Sequence, residues 1–246
     1  MVAATPCGVT LAPEGGAHQS IATPLIGIAQ PGLASFEPAF VDELAVIMRW
    51  GFEHMQSESE GGSVYLRLST RMIDQPARNI SPELALDIIA GGYWLRRPGP
   101  NCELVIACTG AVAPEAIEAT GLLGEDRRDI GLLMVTSSER LYAGWHAARH
   151  ERTQFRADRT SHIERLLAGL PNTCGIVSLI DGHPLTLAWL GSVHGHAVDA
   201  LGVERFGQTG TIDDLYAEYR IDVNSVIEAA ERLSPPRRFR HLKVVV

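Results

Sequence analysis

The sequence has little cysteine, few aromatics, no excess of positive charge and no long apolar run. Its four cysteines, Cys7, Cys102, Cys108 and Cys174, show no metal spacing and no dense disulfide framework. They read as reduced, mostly structural thiols of a cytoplasmic protein. Basic residues number 21 against 29 acidic ones, a formal net charge of −8. That balance argues against a general nucleic-acid binder, which needs a cationic footprint for phosphates. No apolar run approaches the ~20 residues that span a bilayer. The opening MVAATPCGVTLAPEGG has no basic region followed by an apolar core, so no secretory leader is expected. There is no G-x-G-x-x-G after a strand, no Walker loop, no H-E-x-x-H and no G-x-S-x-G elbow.

What remains is a globular composition, 46% hydrophobic and 20% charged, in a chain long enough for one large domain or two ordinary ones. Residues 1–35 are dense in Gly and Pro, which favours loops and short strands over helix before Pro38. Phe40, Leu44, Ile47, Met48 and Phe52 then recur at helical spacing, predicting a helix from Pro38 to about Met55. SVYLRLST (63–70) alternates, with Val64, Leu66 and Leu68 on one face, and predicts a strand. MIDQPARNISPE reads as the start of a linker, and GGYWLRRPGPN as a short strand and turn. Beyond it, buried strands at 102–110, 129–141 and 174–181 alternate with helices at 113–123, 162–170 and 183–193, the last one broken. Residues 203–233 predict a loop and two helices, with Thr211 and Asp222 or Asn224 as caps. The tail PPRRFRHLKVVV reads as a final strand or a docking arm. Strands alternating with helices indicate α/β architecture.

Several sites compete for chemistry. The CTGAV turn reads as a tight turn rather than a phosphate loop. His183, His194 and His196 read as surface or loop histidines rather than metal ligands. APEGGAHQS is different: it gathers an acid, two glycines, a histidine and a glutamine in one loop. Glycines admit close backbone approach. A histidine there suits oxyanion stabilisation or proton transfer near neutral pH.

Glu14, Gly15, His18 and Gln19 fall on a loop that resembles the acid-Gly-x-x-His loop of the transketolase superfamily of thiamine-diphosphate enzymes. LASFEPAFVDELAVIMRWGFEHM resembles the helix after that loop, SVYLRLST the next strand, and RFGQTGTIDDLYAEYRIDVNSVIEAAERL the C-terminal signature. The order holds from about residue 10 to 233. Thr70 stands where transketolases carry a phosphate-binding arginine, with Arg71 one step on. The wording of DELAVIMRWGFEHM and GGYWLRR is closer to the homodimeric decarboxylating component of pyruvate dehydrogenase.

The resemblance implies an α/β fold: a partial pyrimidine-binding domain (1–78), a linker (79–101) and a transketolase-like C-terminal domain (102–246). The two units would meet near residues 76–102, each with its own core. It implies thiamine diphosphate and Mg²⁺ as cofactors of an assembled enzyme, with weak binding to this chain alone. The family's G-D-G…N motif and activating glutamate do not occur in these 246 residues. By the resemblance, His18 is catalytic, Glu14 and Gln19 bind substrate, and Gly15 and Gly16 face the cofactor, with no metal ligand here. The implied partners are a second copy, a chain carrying the diphosphate-binding domain, and a lipoyl acyltransferase, with neither nucleic acid nor membrane. The function implied is a portion or subunit of a 2-oxoacid dehydrogenase decarboxylating component. Ketol transfer of the transketolase type and a non-catalytic assembly subunit are the alternatives.

Overall fold

Parallel strands buried on both faces need continuous apolar runs, and the second half of the chain supplies three. The structure, a computed structural model, describes residues 1–59, 61–127, 129–156, 158–205 and 207–233. It begins with β1 (Val2–Ala4) and a 3₁₀ segment (Ala12–His18). Helix α1 (Thr23–Ala29), β2 (Leu33–Phe36), α2 (Val41–Met55) and β3 (Ser63–Arg67) follow. These strands form a parallel three-stranded sheet, β1-β3-β2. Helix α1 overturns the expectation of no helix before Pro38. Pro24 sits in its first turn, where a missing N–H costs nothing, and Gly27 lets it pack against Ser35. Helix α2 starts where Asp42 and Glu43 complement the helix dipole. Glu43, fully buried, accepts from the amides of Ala39 at 2.8 Å and Phe40 at 3.1 Å.

The span 79–101, expected as a linker, is folded. It carries α3 (Pro82–Ala90), capped by Ser81, and β4 (Gly92–Arg96), the antiparallel edge of the second sheet. That sheet continues through β5 (Leu104–Thr109), α4 (Ala113–Asp126), β6 (Gly131–Val135), α5 (Ser138–Phe155) and α6 (His162–Leu167). It is completed by β7 (Gly175–Ile180), α7 (Leu185–Ala188) and β8 (Val198–Leu201), in the order β4-β6-β5-β7-β8. Helices α8 (Ile212–Glu218) and α9 (Val223–Leu233) close the described chain. The expected strand 129–141 ends at Val135, and the 18-residue α5 and the short β8 were not anticipated. Thr211 caps α8 as expected, accepting from the Asp214 amide at 3.2 Å. Asp222 accepts from Ser225 at 3.1 Å. The tail PPRRFRHLKVVV lies outside the described residues.

The residues of β5 alternate between two apolar clusters. Leu104, Ile106 and Cys108 join one that also holds Phe36, Ile47, Val64 and Leu66 of the first unit. Val105 and Ala107 join the other, under Trp145, Ile163 and Leu167. The two sheets therefore share one cluster, against the expectation of separate cores. Burial on both faces of β5, β6 and β7 accounts for their apolar runs. Among the described residues no helix is long and apolar enough to cross a membrane.

Candidate functional site

The loop singled out in the sequence is one folded unit. Glu14, Gly15, Gly16 and His18 all lie on the 3₁₀ segment Ala12–His18, and Gln19 ends it. Gly15 has φ +66°, a left-handed conformation that favours glycine, and a Cβ there would overlap Thr209. Its identity is thus set by the approach of the 207–210 loop. Gln19 spans that contact with both ends of its amide. Its Nε2 donates to the Gln208 carbonyl and its Oε1 accepts from the Gly207 amide, each at 2.8 Å. Two segments nearly 190 positions apart, both in the family resemblance, are thereby joined.

His18 and Glu14 stand on the outer side of this turn, with Nε2 and Oε2 4.0 Å apart. Their side chains are 51% and 57% exposed, so solvent screens the pair and it adds little stability. Gly16 is half-buried and accepts from the Gln19 amide at 3.5 Å.

The base of the loop is the reverse: buried, charged and locked. Asp181, just past β7, accepts from the Val9 amide with both carboxylate oxygens, at 3.0 and 3.2 Å, and from Tyr216 Oη at 3.2 Å. Arg67, at the end of β3, is 1% exposed. It donates to the Ser20 carbonyl at 2.8 Å, the Asp181 carbonyl at 2.6 Å and Thr23 Oγ1 at 3.2 Å, and forms a close ion pair with Glu37. Burial outweighs the nearby guanidinium and raises the Glu37 carboxyl to about 7 and that of Asp181 to about 6. Gly8 (φ +57°) leaves room for Asp181.

These groups sit at the carboxyl ends of strands from both sheets, where α/β proteins commonly open a ligand crevice. Here Arg67 fills it. The remaining cavity, lined by Glu37, Arg67, Thr109, Ser137, Glu139 and Thr186, measures about 20 Å³, room for one water. The His18 turn, by contrast, is open to solvent.

Arg71, next to the position of the transketolase phosphate ligand, is already engaged. It pairs with both Glu115 oxygens at 2.6 and 2.8 Å, donates to the Ala111 carbonyl at 2.9 Å and lies over the Tyr216 ring. His183, His194 and His196 bond main-chain groups. His194 contacts the Glu164 carbonyl at 3.1 Å, His196 the Cys174 carbonyl at 3.1 Å, and His183 Nδ1 accepts from Leu185 at 3.3 Å. His196 is buried rather than superficial. Among the described residues no group of three or more His, Cys, Asp or Glu side chains is placed to hold a metal ion.

The sequence reading missed Arg67, Glu37 and Asp181. Arg67 alternates with Val64 and Leu66 and so reads as a solvent-facing strand residue; Ser20, Thr23 and Glu37 of the first unit and Asp181 after β7 together enclose it. The available signal was slight, a charged residue flanked by Leu66 and Leu68 at a strand end.

No protein-family model matches the chain. In sequence it is similar to pyruvate dehydrogenase E1 components. It is 31% identical to that of Mycolicibacterium smegmatis over 131 residues, 51% of this chain and 14% of the relative. It is 26% identical to that of Haemophilus influenzae over 239 residues, 94% of this chain and 26% of the relative. The chain thus spans about a quarter or less of the length of the curated relatives it matches. In structure it is similar to transketolase from Leishmania mexicana, with a TM-score of 0.69 at 19% identity, covering 94% of this chain and 30% of the other. A split-gene transketolase solved as an inactive beta4 tetramer gives a TM-score of 0.58 at 18% identity, covering 94% of this chain and 64% of the other. Along most of its length the chain is therefore similar in sequence to pyruvate dehydrogenase E1 components, and its fold is similar to part of the transketolase fold.

Proposed function

We propose that this chain is a portion or subunit of a thiamine-diphosphate-dependent decarboxylating component acting on 2-oxoacids such as pyruvate. The observation that supports it most is the His18 turn. It has an exposed imidazole beside a carboxylate, on a glycine-dependent turn clamped to the 207–210 loop. The residues fit one end of the cofactor's task only. They offer a histidine for the reacting carbonyl, while the family's G-D-G…N motif for diphosphate and Mg²⁺ does not occur in these 246 residues. Diphosphate and metal anchoring is assigned to other polypeptide in the assembly, and this chain alone binds the cofactor weakly.

When bound, thiamine diphosphate supplies the electron sink for loss of carbon dioxide. The work of this chain is to place His18. In its cationic form His18 donates a proton or hydrogen bond to the oxygen that gains charge at the substrate's 2-oxo carbon; in its neutral form it takes the proton back. Glu14, 4.0 Å from the imidazole, contacts substrate polar groups. Gly15 and Gly16 keep the turn free of side-chain bulk on the cofactor's side. Gln19, read as a substrate ligand, also holds the turn against residues 207–208. In such an assembly the acyl product passes to a lipoyl acyltransferase.

Ketol transfer between phosphosugars is the weaker reading, because Arg71 is committed to Glu115 and Ala111. A split-gene transketolase with a similar fold is described as an inactive beta4 tetramer, which supports a chain that needs further polypeptide to turn over. The test is reconstitution with a chain carrying the G-D-G…N motif, followed by carbon dioxide release from pyruvate with an artificial electron acceptor. Release that requires both chains supports the proposal. Turnover of xylulose 5-phosphate without release from any 2-oxoacid would replace it with the ketol-transfer reading.

A further inference from the structure

Two of the four thiols face each other at the amino ends of β5 and β7, opposite the ends that carry Thr109 and Asp181. Cys102 stands two residues before β5 and Cys174 one residue before β7, and these strands pair in parallel with Leu104 opposite Gly175. Their sulfurs are 3.8 Å apart although the residues are separated by 72 positions. A disulfide needs ~2.05 Å between sulfurs and a Cα separation of roughly 4.4–6.8 Å. With Leu104 opposite Gly175 the two cysteines are one residue out of register, so strands ~4.8 Å apart with a ~3.3 Å rise set them roughly 6 Å apart along the diagonal, inside that range. A shift in side-chain torsion and a small backbone adjustment would close the bond.

Both thiols are buried, but only by one residue's depth. Asn101 and Glu103 flank Cys102 and are exposed, as are Asn172 and Thr173 before Cys174. The turn before Cys102 is held by long bonds, Cys102 amide to Gly99 carbonyl at 3.2 Å and Asn101 amide to Asp129 at 3.3 Å. Cys102 and Cys174 lie at the rim of the second apolar cluster, one residue from exposed positions. The other two cysteines lack these features. Cys7 lies in the buried region of Arg67 and Asp181, where burial pushes its thiol up to about 12, and Cys108 is packed inside β5 against Met134. The Cys174 thiol donates to Cys102 and holds it below the ordinary thiol range, at about 7. That leaves Cys102 with the larger thiolate fraction of the pair.

We propose that Cys102 and Cys174 are a redox modification site that forms a reversible intrachain disulfide on exposure to hydrogen peroxide. In the first step the Cys102 thiolate attacks one peroxide oxygen and the O–O bond breaks. The departing hydroxide takes up a proton to leave as water, and Cys102 becomes a sulfenic acid. Cys174 sulfur then attacks the Cys102 sulfur, the S–O bond breaks, and hydroxide leaves with the Cys174 proton as a second water. Two thiols lose two electrons in total to one peroxide, giving one disulfide and two waters.

The test treats the whole chain with a small molar excess of peroxide, then counts free thiols under denaturing conditions and maps peptides without reduction. The expected result is a fall from four free thiols to two, and a Cys102–Cys174 linked peptide lighter by two hydrogens. Dithiothreitol should restore all four. The link closes a long loop, so Tm should rise by roughly 5 °C in the oxidised protein. Cys102→Ser should lose both the linked peptide and the Tm rise, whereas Cys108→Ala should keep them. Four surviving thiols, a link involving Cys7 or Cys108, a link between two chains, or Cys102 accumulating as sulfinic acid would each overturn the proposal. The wild-type thiol count and peptide map decide the matter even if a variant fails to fold.

Discussion

The two ends of the histidine loop obey different physics. At its tip, His18 and Glu14 are more than half exposed and 4.0 Å apart, so their mutual attraction is screened and no packing depends on them. At its base, Val9, Ser20 and Thr23 are tied to Asp181 and Arg67, both essentially without solvent contact. A buried guanidinium with four protein partners is costly to disturb, because each partner loses its donor in a place water cannot reach. Under the proposed function the contrast separates two properties that a single loop would combine: a reactive group free to meet a substrate, and a foundation that holds that group at a fixed place. It also separates what mutations should do. Changes at the base should act on stability, and changes at the tip on turnover.

The largest effect is expected at the base. Arg67→Met removes the ion pair with Glu37 and the bonds to Ser20, Asp181 and Thr23. A one-sided deletion of this kind costs about 3–5 kcal/mol. Urea unfolding of the chain should show it. A loss under 1 kcal/mol would mean that water replaces the guanidinium, and that the base is not the rigid element argued above.

His18→Ala should show the opposite signature. Unfolding free energy should stay within about 0.5 kcal/mol of the wild type, as for other exposed positions. In the reconstituted enzyme, decarboxylation should fall roughly 10²–10³-fold. Turnover within about threefold of wild type would defeat the catalytic assignment and leave His18 as a turn residue.

The tip and the base also differ in how legible they were. The tip is a run of six residues whose chemistry is local, so a linear motif exposes it. The base joins Arg67, Glu37 and Asp181 from strands 30 and 114 positions from Arg67, and no spacing in the chain announces that meeting. Elements followed the same division. Helix α2 was readable because Phe40, Leu44, Ile47 and Met48 recur at helical spacing and pack on the core, although Phe52 of the same series is exposed, and β5 and β7 because both faces are buried. Helix α5 was not, since it is rich in Arg, His and Glu and buries only Leu141, Trp145 and Ala148. Their i, i+4, i+7 spacing was the one available signal. Strand β8 has a single fully buried residue, Leu201, and so no alternation to read.

A third prediction titrates the base. The Glu37 carboxyl is raised from its ordinary 4.5 to about 7, and that of Asp181 from 3.8 to about 6, by burial that Arg67 only partly offsets. Between the ordinary and raised values the folded protein holds protons that the unfolded chain has released. Stability from this source is full below about pH 4 and is lost as pH rises through 6 and 7. Unfolding free energy should therefore decline by about 1–3 kcal/mol from pH 5 to 8. Glu37→Gln should flatten most of that slope. Glu164, which pairs with Arg152 and is lowered to about 2, acts only at more acid pH and does not obscure the window. A slope unchanged in Glu37→Gln would show that Arg67 keeps Glu37 ionised throughout.

The smallest effect is expected where tip and base meet. Gln19 is half-buried, and its two 2.8 Å bonds to residues 207 and 208 hold the turn against the C-terminal part of the chain. Water can replace both bonds, so Gln19→Ala should cost no more than about 1 kcal/mol in global stability. The local consequence should be larger than the global one. Amide exchange at Gly207 should speed up by roughly tenfold, the factor that corresponds to ~1.4 kcal/mol of local opening, with little change at Ile176 or Val177 in the buried β7. Turnover of the assembled enzyme should fall less than for His18→Ala, through kcat and not KM, because the imidazole is still present but less well held. A rise in KM with unchanged exchange at Gly207 would give Gln19 the role of a substrate ligand and remove it from the clamp. Slower turnover with faster exchange would instead make the clamp the means by which the rigid base fixes the exposed tip.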